Sequence, residues 1–79
     1  MNKVRIVCAL HRLAVVWAER NGYEPGTYVT LTKSGTLRGL PANTEIIVVD
    51  TPFKFEDSSK LNEILKRFTN VRHELFAGS

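Results

Sequence analysis

Cys8 is the only cysteine in the 79 residues, so no internal disulfide can hold the chain together and its fold has to rest on a packed core. At this length a core buries only a little more than about 60% of the unfolded surface, which leaves room for one domain, residues 1–79. Val7 and Ala9 flank Cys8, and that setting reads as a small buried hydrophobe rather than a reactive thiol. Histidine is also scarce. His11 lies three residues after Cys8 and His73 is remote, so no four-ligand metal set is complete and no metal or cofactor is expected.

Glycine is missing from Met1 to Asn21. The stretch after the first apolar run, "CALHRLA", therefore lacks the Gly-rich, Lys-bearing loop that wraps phosphates in NTPases, and it lacks the dinucleotide fingerprint as well. A conventional NTPase or Rossmann cofactor enzyme is therefore not expected. No apolar run approaches the roughly 20 residues that cross a bilayer, and the segment behind Lys3 and Arg5 is too short for a secretory signal, so a cytoplasmic protein is expected. The net charge of +3 is spread from Lys3 to Arg72 among acids, with one adjacent basic pair, Lys66-Arg67. Such spacing describes a solvated surface more than a concentrated nucleic-acid face.

The chain does carry ordinary globular composition, 43% hydrophobic and 24% charged. "VRIVC", Val4–Cys8, is short and β-branched, as expected of a strand covered on both faces. From Leu10 to Asn21 the residues Leu10, Leu13, Ala14 and Trp17 recur at helical spacing, and Gly22 follows as a helix terminator. Val15, Val16 and Ala18 widen that helix's apolar surface, so Val15, Val16 and Trp17 are candidates for a surface that meets another element or another subunit. "YEPG" is a turn, and Tyr28–Thr32 has strand composition.

"KSGTLRGLPAN" allows one irregular helical turn around residues 36–40. Glu45–Asp50 is then a strand whose continuous apolar run, Ile46–Val49, marks a central position in a parallel sheet. Asp57, Ser58 and Ser59 are cap candidates ahead of a helix over Ser59–Phe68, whose Leu61, Ile64, Leu65 and Phe68 share one face. Residues 70–76 alternate and fit an edge strand, the preferred reading, or a terminal helical turn.

This order predicts an α/β fold, a small Rossmann-like layered domain with a mainly parallel sheet of three to four strands and two helices. Right-handed crossovers place the first strand between the second and third, order 2-1-3. The carboxyl ends of the strands then converge, and ligands of open α/β sheets bind at that edge. The candidate ligand residues there are His11, Arg12, Lys33, Ser34, Arg38 and Asp50. Arg12, Lys33 and Arg38 would form a basic rim, and the start of the first helix offers free N–H donors to an anion. Asp50 in "TEIIVVDTP" has the position of a Walker B acid, yet without a phosphate cradle it reads as turn chemistry ahead of Thr51-Pro52. A minimal hydrolase built on Cys8, His11 and Asp50 ranks last, and no catalytic residue is assigned.

The ordered landmarks Trp17-Ala18, Asn21-Gly22, Pro25-Gly26, Tyr28-Val29 and "LRGL" before an apolar strand resemble small uncharacterised proteins encoded by bacteriophages of actinobacteria. The resemblance spans roughly residues 5–50. The "LRGL" to "VVD" portion is also similar to the segment before Walker B in phage terminase and helicase motors, which implies a degenerate NTPase-like core. The resemblance implies a phage protein in the infected cell's cytoplasm and carries no activity with it. The absent catalytic signatures and the broad apolar surface of the first helix give the expectation of a non-enzymatic accessory protein that acts on a host or phage protein and can self-associate through that helix. The alternative is nucleotide or nucleic-acid binding at the carboxyl edge of the sheet.

Overall fold

Residues 3–76 are described by the computed structural model. Four strands form one sheet, β1 (Val4–Cys8), β2 (Tyr28–Leu31), β3 (Ile46–Asp50) and β4 (Val71–Leu75), in the order β2-β1-β3-β4. Every neighbouring pair is parallel. The expected order of the first three strands is present, and β4 extends it beyond β3, so residues 71–75 are the edge strand rather than a helical turn. The domain is a small Rossmann-like α/β layer structure with two helices, α1 (His11–Arg20) and α2 (Ser58–Leu65). A 3-10 turn over Ser34–Leu37 lies between β2 and β3, slightly earlier in the chain than the irregular turn expected at residues 36–40.

Strand alternation sends side chains to two opposite faces. Ile6, Cys8, Ile47 and Val49 pack with Ala14, Trp17 and Ala18 of α1. Val7, Ile46 and Val48 pack with Leu37 of the 3-10 turn and with Leu61 and Leu65 of α2. The central strands β1 and β3 are thus covered on both sides, which is why their sequences are continuously apolar.

The end of α1 follows from Gly22, whose φ of 81° is open to a residue without Cβ. Gly22 N–H donates to the Glu19 carbonyl at 3.3 Å and Tyr23 N–H to the Ala18 carbonyl at 3.0 Å, the paired bonds of a Schellman motif. That reversal folds Tyr23 back on Trp17, with ring centroids 5.7 Å apart, and Tyr28 meets Tyr23 edge-on at 6.4 Å. Helix α2 stops at Leu65, short of the expected Phe68, because its last turn tightens: Arg67 and Phe68 N–H groups donate to the Ile64 and Leu65 carbonyls, each at 3.1 Å.

Candidate functional site

After β1 the chain passes through α1 to β2 on one side, and after β2 it returns to β3 on the other. The strand order therefore reverses between the carboxyl ends of β1 and β3, the place where open parallel sheets present a crevice. Three large apolar side chains are left in solvent at this end of the sheet. Leu10, just after β1, is 43% exposed; Phe53, just after β3, is 57% exposed; and Leu75, the last residue of β4, is 77% exposed.

The expected ligand residues do not form one cluster. His11 is the first residue of α1, and its Nδ1 shares a hydrogen bond with Thr30 Oγ1 on β2. Its ring is directed toward an edge strand by that bond. Arg12 and Lys33 are exposed near the carboxyl edge, whereas Ser34 is buried at 2% exposure and offers no accessible ligand group. Asp50 is exposed and its backbone carbonyl accepts the Phe76 N–H at 2.8 Å. Its side chain lines a cleft of about 300 Å³ on the α2 face together with Lys54, Ser58, Asn62 and His73. Cys8 is buried beneath α1 on the opposite face. The Cys8, His11 and Asp50 trio of the minimal hydrolase is thus divided between the two faces and the β2 edge.

Arg38 departs furthest from expectation. It follows the 3-10 turn and lines a groove of about 540 Å³ against α2, where Lys60, Glu63 and Arg67 join it beside the apolar Leu37, Ile64 and Phe68. The basic rim of Arg12, Lys33 and Arg38 is therefore two separate features. Arg67 was expected only as half of a solvated basic pair with Lys66, and Lys60 was not singled out; in the structure Lys66 turns to Glu63 at 3.3 Å, and Arg67, just past the end of α2, lines the groove instead. The i, i+7 spacing of Lys60 and Arg67 was the available signal, since it puts both on one side of a helix.

The surface expected on α1 loses its largest member. Trp17 is 5% exposed and belongs to the core, while Val15 and Val16 are half-buried. Trp17 and Ala18 are taken up by packing on β1, β3 and the two tyrosines, whereas Val15 and Val16 belong to neither core cluster.

Among the described residues, no three His, Cys, Asp or Glu side chains gather as a metal-binding group, and no helix is long and apolar enough to cross a membrane. No protein-family model, curated protein or solved structure matches the chain.

Proposed function

We propose that the protein works by binding rather than by catalysis, as a phage accessory protein that docks on a host or phage protein in the cytoplasm of the infected bacterium. The observation that carries this reading is the placement of Leu10 and Phe53 in solvent after the two central strands. Exposed large apolar side chains grouped at one end of a domain favour a protein partner, because burying them on association releases water from both surfaces. Arg12 and Lys33 supply polar groups at the rim of such a contact.

A tagged protein retaining a stoichiometric partner from host lysate, and losing that same partner in a folded Leu10→Asp, Phe53→Asp variant, is the expected outcome. Retention of the same partner by the variant would remove the carboxyl edge as the docking surface.

The groove of Arg38, Lys60 and Arg67 favours a second reading, a phosphate-bearing ligand such as a nucleotide or nucleic acid. Three cations against the one acid of the groove, Glu63, which is paired with Lys66, can hold phosphate charge while the apolar side chains take a base or sugar. Titration with nucleotides and short DNA at low salt should then give an affinity that falls as salt rises. Joint replacement Arg38→Ala, Lys60→Ala and Arg67→Ala should abolish binding. Loss caused instead by Arg12→Ala with Lys33→Ala would return the ligand to the carboxyl edge.

A further inference from the structure

Among the described residues strand β4 pairs with β3 alone, which leaves its other edge open. Two backbone bonds orient that edge: Ile46 N–H donates to the Asn70 carbonyl at 2.9 Å, and Phe76 N–H donates to the Asp50 carbonyl at 2.8 Å. In a parallel ladder, alternate residues turn their backbone groups to the same neighbour. Positions 70, 72, 74 and 76 therefore face β3, and Val71, His73 and Leu75 direct their N–H and C=O groups outward. Side-chain alternation places Val71, His73 and Leu75 on the α2 face and Arg72 and Glu74 on the α1 face.

This edge is self-complementary about His73. When two copies run antiparallel with their His73 residues opposed, Val71 of each lies opposite Leu75 of the other, and Arg72 lies opposite Glu74. The outward residues then form hydrogen-bonded pairs, exchanging both backbone groups. Arg72 and Glu74 form the closer, non-hydrogen-bonded pairs, where opposite charges attract most effectively across strands. Edge strands that avoid association carry charges that repel a second copy; here the signs attract it.

A second feature lies on the same side. A groove of about 430 Å³ between α2 and β4 has Leu65, Phe68 and Val71 as its apolar members, with Asn62, Lys66, Thr69 and His73 as polar ones. Because Leu75 of a second copy falls opposite Val71, its side chain enters this groove, and the most exposed large apolar residue described becomes covered. The other edge strand, "YVTL" of β2, has no charged residue to select a partner or a register.

We propose that the protein forms an isologous homodimer through antiparallel β4 pairing centred on His73, merging two four-stranded sheets into one. This interface goes beyond the partner-binding surface at Leu10 and Phe53 and does not rest on it.

Sedimentation velocity over a concentration series should show the wild-type protein shifting from monomer to dimer. Arg72→Glu and Glu74→Arg, each alone, oppose like charges and should weaken dimerisation at least tenfold while leaving the circular dichroism unchanged. Mixing the two variants in equal amounts restores both opposite-charge pairs and should recover the dimer, a result that misfolding of either variant cannot produce. His73→Cys provides an independent readout. A hydrogen-bonded antiparallel pair has Cα atoms about 5.5 Å apart, within disulfide reach, so mild oxidation should link two chains at that position. A wild-type protein monomeric at millimolar concentration, single variants that dimerise as well as wild type, or a mixture that stays monomeric would each overturn the proposal.

Discussion

The two faces of the sheet are covered by different means. On one, a single ten-residue helix, α1, crosses β1 and β2, and Trp17, Tyr23 and Tyr28 close the remaining space with ring contacts at 5.7 and 6.4 Å. On the other, the cover is assembled from a four-residue 3-10 turn, the eight-residue α2 and the loops around them. Short elements meet along seams, and the grooves beside Arg38, Asp50 and Val71 all lie along seams of the second cover. The cores under the two covers are of similar size, seven buried residues against six, and the difference lies in access: these three grooves open around α2, while the α1 side has one of about 270 Å³ where the helix ends beside Trp17, Arg20 and Phe76. A face closed by one element opens only at that element's end, and a face closed by several short ones has clefts at each junction.

The largest blow to this arrangement should come from Trp17→Ala. Removing the side chain that joins α1, Tyr23 and the sheet costs about 3–5 kcal/mol, read as a lower midpoint in urea unfolding. Leu61→Ala, on the opposite cover, should cost less, about 2–4 kcal/mol, because α2 can settle into the adjoining grooves. The sheet separates the two positions, so the double variant should lose the sum of the single losses to within about 0.5 kcal/mol. A large coupling between them would mean that the faces do not act independently.

The smallest change concerns Thr44, two residues ahead of Ile46 and 1% exposed. Its Oγ1 is buried without a hydrogen-bond partner among the described residues. Thr44→Val keeps the shape and removes the uncompensated hydroxyl, and should leave stability unchanged or raise it by about 1 kcal/mol. A marked loss of stability on that substitution would show that the hydroxyl is satisfied in solution.

Much of the fold was legible in the sequence because strand and helix periods are local. The run Ile46–Val49 has no polar interruption and sits at the centre of the sheet, and Gly22 ends α1 where its missing Cβ allows the chain to reverse. The edge strand β4 was legible in the alternation of Val71, His73 and Leu75 against Arg72, Glu74 and Phe76. The candidate site was far less legible. Arg38 and Lys33 are five residues apart, yet the 3-10 turn between them directs one to the α2 groove and leaves the other near the carboxyl edge. His11 is a neighbour of Arg12 in the chain but is tied to Thr30, 19 residues away. Trp17 shows the same difficulty in an apolar residue: sequence reports that a helix face is broad, and only packing reports what occupies it.

The absence of Gly and Lys after β1 excluded a phosphate loop without any coordinates, because that chemistry requires particular residues at contiguous positions. The apolar runs likewise determined a layered parallel sheet, since each strand's pattern records whether one or two of its faces are covered. Which cations share a groove, which apolar side chains stay in solvent and which backbone groups of β4 turn outward were decided only by the tertiary structure. Those properties depend on distances between residues far apart in the chain, and no local period encodes such distances.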